Sequence, residues 1–230
     1  MIIDNYSNFL KKFINKNYRT VFFDEYNLSG SNQLILRHDI DQDCEIAYKL
    51  SCIENQLNIK STYFFLLRNN SYNLISEENV NFVNKIKDNG HLISLHFDPT
   101  LYKNVNKGLK KEIDVFENIF NEKVKIISLH RPLKNMLGSE NMKVLDFPNT
   151  YKDIFFKKTK YFSDSRGEFR YGSPFDSFEY KQGYNIQLLV HPIWWIGEGI
   201  TVEERINWFR KHKNNNLENS LKNNFDFYGK

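Results

Sequence analysis

Apolar positions along this chain follow two rhythms that alternate. Leu34-Ile35-Leu36 is an unbroken apolar run that ends in Arg37-His38-Asp39-Ile40-Asp41. A run without apolar/polar alternation is what a strand buried on both faces shows, as in a parallel sheet. Behind Asp43, residues Ile46, Ala47, Leu50, Ile53 and Leu57 keep the 3.6-residue spacing of an amphipathic helix. The same pair of rhythms returns downstream. Segments 59–67, 91–97, 124–129 and 186–190 read as strands, with a shorter one at 161–163. Ser76 with Glu77 and Glu78 starts a helix that runs to Asn89-Gly90, and Leu109, Ile113, Phe116 and Phe120 form the stripe of another over 106–120. A helix over 7–17 and a short strand over 20–23 precede this series, and Thr201 caps a helix over 201–211. Residues 136–161 are weakly patterned, and the Asn/Lys-rich stretch from Lys213 reads as loose. Strand and helix alternating about every thirty residues predict βαβ units and a parallel sheet. No internal repeat or linker divides the chain. The expectation is one catalytic domain over 1–230, with 1–33 as an N-terminal helical extension and 213–230 as a polar tail.

Chemistry collects at the strand ends. Asp39 and Asp41 lie two apart and point to one side of an extended segment. Two carboxylates so close need a metal, a shared proton or a basic partner. Asp43 can cap the following helix, so Asp39 and Asp41 are left without that duty. The third core strand ends in His96 and Asp98, the fourth in His130 and the last in His191; the second, 59–67, ends without such a residue. A lone histidine there is commonly a hydrogen-bonded core group. Four strand ends on one face of a parallel sheet, where sites are built, point to a shared site. His91, five residues before His96, faces the other way and reads as a polar strand start after the Asn89-Gly90 turn. Aspartate with histidine suits Zn²⁺, and also Fe²⁺, Co²⁺, Ni²⁺ or Mn²⁺. One such divalent ion with an open position polarises a carbonyl and activates water, while a carboxylate serves as base and a histidine as acid. That is the chemistry of amide or ester hydrolysis.

Composition narrows the classes. At 230 residues with 40% apolar content the chain can build a substantial core, and its net charge of +4 is spread in small Lys/Asn clusters. A nucleic-acid footprint concentrates basic residues on one face, so no nucleic-acid partner is expected. Cys44 and Cys52 lie eight apart on one expected helix, about 12 Å along its axis, too far for a disulfide. Residues 1–5 lack a basic start followed by an apolar run, and no stretch reaches the length of a transmembrane segment. A cytoplasmic protein is the expectation.

Arg37-His38-Asp39-Ile40-Asp41, Gly90-His91-Leu92-Ile93-Ser94-Leu95-His96 and Leu189-Val190-His191-Pro192 together resemble the polysaccharide deacetylase superfamily (NodB homology, carbohydrate esterase family 4). The likeness is strongest to its short, signal-less branch found near surface-polysaccharide genes. It extends over about residues 34–195. It implies a deformed (β/α) barrel of about seven parallel strands and a metal-dependent hydrolase that removes an N-acetyl or related acyl group from a small-molecule or lipid-linked sugar. It further implies Asp39 as base, Asp41 and His96 as metal ligands and His191 as acid. Thr100 stands where the family has its second metal histidine, so the third ligand must come from elsewhere: His130 first, Asp98 second. Arg131-Pro132 matches only part of the family's Arg-x-Pro-Tyr motif, with Leu133 in place of an aromatic residue. Arg131 is thus a candidate for substrate binding or orientation. Asp164 aligns with the acidic residue that orients the base-binding arginine. Two alternatives stand beside this reading: the same apparatus cleaving a non-sugar amide, and a catalytically silent carbohydrate-binding protein, which Thr100 favours. Tyr171, Trp194 and Trp195 are either a sugar-stacking wall or core.

Overall fold

The central apolar run sits at the centre of the sheet. The computed structural model describes residues 5–132, 134–137, 145–225 and 227–228. Among them, seven strands are found: β1 (Arg19–Thr20), β2 (Gln33–Ile40), β3 (Thr62–Phe65), β4 (Leu92–Phe97), β5 (Ser128–Leu129), β6 (Lys160–Ser163) and β7 (Ile186–Val190). The order is β5-β4-β3-β2-β7-β6, every pairing is parallel, and β1 joins the first residues of β2. β2 has neighbours on both sides and is buried along its whole length, which is why its apolar run does not alternate. The helices are α1 (Tyr6–Asn15), α2 (Cys44–Gln56), α3 (Glu77–Asp88), α4 (Val105–Phe120), α5 (Asp153–Phe156), α6 (Phe178–Gln182), α7 (Ile193–Ile196) and α8 (Val202–Asn224). α2, α3 and α4 each return the chain from one parallel strand to the next. The architecture is the expected deformed (β/α) barrel, its sheet curled and open.

The two faces of the sheet differ. Leu34, Leu36 and Ile40 of β2, Tyr63 and Phe65 of β3, Ile93, Leu95 and Phe97 of β4 and Ile186, Leu188 and Val190 of β7 belong to the large core shared with the helices. Among the described residues the opposite face carries a small apolar plug, Val21, Phe23, Ile35, Phe64 and Phe155, with Leu189 beside Arg37 further along. Most of its other positions are polar: Arg37, Asp39, Gln187, Ser94 and His96, all buried.

Three expectations are corrected. The fourth strand is only Ser128–Leu129; before it, Ile127 bridges Asn149, Ser94 Oγ donates to the Ile126 carbonyl and Val124 N donates to Glu117, so side chains and a loop take the backbone groups a longer ladder would use. The N-terminal segment is no extension: Tyr6, Phe9, Leu10 and Phe13 of α1 are buried in the main core, and β1 extends the sheet. The polar tail is helical to Asn224. Thr201 and Glu204 form a capping box at its start, while Lys213 and His212 reach Asp43 and Glu45 at the start of α2. Lys, Leu and Glu continue a helix readily. Residues 1–4, on which the leader reading chiefly rested, and Leu133 lie outside the described residues. Among the described residues no helix is long and apolar enough to cross a membrane, and both cysteines are free.

Candidate active site

Strand register brings the distant motifs together. His38 pairs with Val190, so the next residues, Asp39 and His191, share a level above the β2–β7 pair. Ile40 pairs with Phe65 and Phe65 with Leu95, so Asp41 and His96 share the level above that. His96 in turn pairs with Ser128, and His130 lies two residues further on. Side chains alternate, so Arg37, Asp39 and His96 all point to the polar face, while His38 points into the large core.

Asp41, His96 and His130 form a tight triangle. Asp41 Oδ1 lies 3.3 Å from His96 Nε2 and 3.3 Å from His130 Nδ1, and the two imidazole nitrogens are 3.2 Å apart. Two donors held about 2.1 Å from one divalent ion stand about 3.0–3.4 Å apart, so the triangle has the dimensions of a ligand set. Asp41 Oδ1 and His96 Nδ1 are buried without a hydrogen-bond partner. Although burial opposes it, His130 and His96, with His191, hold the Asp41 carboxyl well below the usual carboxylate range. Asp98, the other candidate for the third position, is occupied: its Oδ1 accepts from Thr100 N at 2.9 Å and Thr100 Oγ1 at 2.5 Å. A second group of possible ligands, Asp43, Glu45 and His212, already receives Lys213 Nζ on Asp43 at 2.9 Å.

Asp39 stands beside the triangle, its Oδ2 3.9 Å from His96 Nε2. Oδ2 accepts from Ser128 Oγ at 3.0 Å and from Arg37 Nη2 at 3.5 Å; Oδ1 has no partner. Arg37 is fully buried, a rare position for arginine. It is held by the hydroxyls of Thr150, Tyr151 and Tyr161, with its guanidinium 4.9 Å from the Tyr151 ring centre. His191 Nε2 lies 3.8 Å from Asp41 Oδ2. Its Nδ1 is 2.6 Å from Asp164 Oδ1, and Asp164 also accepts from His191 N at 3.0 Å and from Trp195 Nε1 at 2.7 Å. Burial lowers the His191 pKa, but the hydrogen bond and charge of Asp164, aided by Asp41 and Asp39, raise it to about 9. The site therefore holds an unpartnered carboxylate oxygen, Asp39 Oδ1, and a histidine whose pKa is raised.

The residues expected from sequence thus divide. Asp39, Asp41, His96, His130 and His191 meet in one place. Asp164 also belongs there, but its partner is His191 and not an arginine. Arg131 is exposed on the rim, and the arginine that touches Asp39 is Arg37. Arg37, Ser128, Thr150 and Tyr151 belong to the site beyond the residues expected from sequence. Trp194 and Trp195 are core, with Trp195 packed on Phe9 and Tyr6, whereas Tyr171 is exposed. Behind the sheet, on the other face of the same strands, lies a second polar cluster. Glu54 of α2 accepts from the hydroxyls of Tyr6, Ser61 and Tyr63 and pairs with His38 Nε2 at 2.8 Å, while His91 is joined to Ser61 at 2.9 Å.

Comparison with known proteins agrees with this geometry at the level of fold. Of two similar solved structures, one is a chitin deacetylase from the fungal pathogen Colletotrichum lindemuthianum. It has a TM-score of 0.51 and 13% identity, and the match covers 80% of this chain and 84% of that one. The other is the Streptococcus pyogenes deacetylase PplD in complex with acetate, with a TM-score of 0.50, 12% identity, and coverage of 90% and 86%. The fold is that of the polysaccharide deacetylases. No family model matches the sequence, and no curated protein does.

Proposed function

We propose that this chain, acting as one catalytic domain, is a metal-dependent carbohydrate deacetylase. It would remove an N-acetyl or related acyl group from a small-molecule or lipid-linked sugar during surface-polysaccharide or glycan assembly. One observation carries the reading: the Asp39 carboxylate, with its Oδ1 unpartnered, and the Nε2 of His191 lie 3.9 Å and 3.8 Å from the Asp41–His96–His130 triangle.

Asp41, His96 and His130 are the residues that would hold the ion, Zn²⁺ or one of Fe²⁺, Co²⁺, Ni²⁺ and Mn²⁺. A divalent cation bound there supplies a Lewis acid for the acyl carbonyl and lowers the pKa of water. Around it the chain's own groups act in order. Arg37 and Ser128 fix Asp39 through Oδ2 and leave Oδ1 without a partner, and the carboxylate takes a proton as water attacks the acyl carbon. His191 donates its Nε2 proton to the sugar nitrogen as the carbon–nitrogen bond breaks, giving acetate and a free amine. Asp164 keeps Nδ1 protonated and the ring aimed, and Trp195 fixes Asp164. Thr100 does not force the silent reading, because His130 stands in the triangle that a second histidine would complete.

The test is acetate release. Protein stripped with chelator and reloaded with Zn²⁺, Co²⁺, Ni²⁺, Mn²⁺ or Fe²⁺ is assayed on N-acetylated sugars and, in parallel, on acetylated amines that are not sugars. Metal-restored release from sugars supports the reading. Release from the plain amides alone moves the assignment to a non-sugar amidase, and binding of sugar without release under any metal supports the silent protein.

A further inference from the structure

β3 is the core strand whose end carries no acid–base or metal-ligating group, and Leu66-Leu67-Arg68 comes directly after it. Arg68 and Arg131, from the loops after β3 and β5, line one cleft of about 1000 Å³ together with Asp41 and His130. We propose that these two arginines form an anion subsite and that the sugar acted on carries a phosphoryl group. This rests on the deacetylase reading above and names its substrate class.

Among the described residues neither arginine has a carboxylate at ion-pairing distance; Arg68 is hydrogen-bonded to Tyr102, and the more distant charges of Glu112 and Asp98 also act on it. The Arg68 guanidinium lies 5.4 Å from the Tyr102 ring centre; Tyr102 stacks on Phe97 at 5.5 Å and donates its hydroxyl to Glu112, so the ring is braced from two sides. Arg131 sits at the end of β5 with a left-handed φ of 52° and has no ion pair among the described residues. Of the two carboxylates that share the cleft, Asp41 lies against His96 and His130 and Asp98 accepts from Thr100. The planar guanidinium fork matches phosphate oxygens, and two separate forks suit a group with more than one charged oxygen better than a single carboxylate.

The rest of the lining agrees. Asn70 and the Nδ2 group of Asn73 are amides available to sugar hydroxyls, whereas Asn69 is tied to the Asp41 carbonyl and Ser71 N. The single aromatic residue among the lining, Tyr72, has its hydroxyl tied to the backbone of Ile40 and Leu66. A cleft for a neutral polymer would be expected to offer aromatic faces to successive rings. Trp194 and Trp195 are spent in the core instead.

A matched pair of probes tests this: N-acetylglucosamine 1-phosphate and the methyl glycoside of the same sugar, each given to Zn²⁺-loaded protein and to the double variant R68Q/R131Q. The expected result is a kcat/KM at least about tenfold higher for the phosphate, with that ratio falling toward one in the double variant, whose thermal midpoint stays at the wild-type value. Equal efficiency on the two probes, or a preference that survives R68Q/R131Q, overturns the subsite and leaves the deacetylase reading standing. Calorimetric titration of D39N protein with the same pair separates binding from turnover. Phosphate-selective binding lost in D39N/R68Q/R131Q supports the subsite even where no acetate is released, and absence of such selectivity there overturns it.

Discussion

The same strands build two clusters of nearly identical residue types, one on each face, and only one of them is complete. Behind the sheet, Glu54, His38 and His91 are fully buried in hydrogen bonds. Burial pushes the Glu54 carboxyl up, yet His38 first, then His91 and Ser61, outweigh it and bring its pKa down to about 2. In front, Asp39 Oδ1, Asp41 Oδ1, His96 Nδ1 and Arg37 Nε are buried with no hydrogen-bond partner. A satisfied buried network fixes a fold, whereas an unsatisfied one is normally removed by selection unless something else completes it. The difference therefore lies in what the atoms lack and not in the kinds of residues present. It separates a satisfied cluster from an unsatisfied one.

The largest effect that could break this comparison is on turnover. Asp39→Asn keeps the shape and removes the base, so deacetylation per folded molecule should fall by roughly 10³- to 10⁴-fold, the upper range for a general base. Full activity in a metal-loaded D39N protein would mean that the front cluster does not work as described. The counterpart behind the sheet is Glu54→Gln. An amide presents two donors where Tyr6, His38, Ser61 and Tyr63 all need an acceptor, so stability should drop by about 3–5 kcal/mol, the cost of breaking a buried pair. For a chain of this size that lowers Tm by very roughly 6–20 °C. The linkage has a definite sign: Glu54 is depressed, so its contribution is full above the ordinary carboxylate pKa and fades as pH falls toward 2. A denaturation midpoint unmoved by E54Q would erase the contrast between the faces.

A third, smaller effect sharpens the contrast. An incomplete ligand set should gain stability from its ion. Zn²⁺ at 100 times its dissociation constant should raise the unfolding free energy by about 2.7 kcal/mol. His130→Ala should remove most of that gain while leaving the metal-free midpoint within about 0.5 kcal/mol, because His130 is only partly buried. If metal stabilises H130A as much as the unaltered chain, the third ligand is another residue.

The same geometry explains how much could be read from sequence. The strand ends were legible because charged groups stop apolar runs abruptly, and parity alone put His91 on the face opposite His96. Register was not legible, since no local signal says that Val190 lies beside His38, yet register is what brings His191 to Asp39. Arg37 was within reach: it lies two residues before Asp39 in an extended segment and so faces the same way. Glu54 left a signal too, a charge falling four residues after Leu50 on the apolar stripe of α2. Thr150, Tyr151 and Tyr161 were hidden because 136–161 has no periodicity to mark which side chains turn inward. Asp164 was found with the wrong partner, because a sequence motif assigns a residue to a site before it can say which neighbour it touches.

Asp164 also gives the finest test of the front cluster. His191 is held protonated chiefly by Asp164, through a 2.6 Å hydrogen bond and its charge, against the cost of burial. A histidine with a raised pKa is a competent acid below that pKa and fails as pH rises through it. Deacetylation should therefore have an alkaline limb set by His191, near pH 9 from the charges the chain supplies. Asp164→Asn retains a hydrogen-bond acceptor for Nδ1 and removes the charge. The limb should then move to lower pH by about one unit or more, the usual effect of an opposite charge at this range and worth about 1.4 kcal/mol per unit. At pH 6 the variant should lose less activity than at pH 8.5. A merely structural role for Asp164 would lower the whole profile without moving its limb, so a D164N profile that is reduced but unshifted would remove His191 from the role of acid.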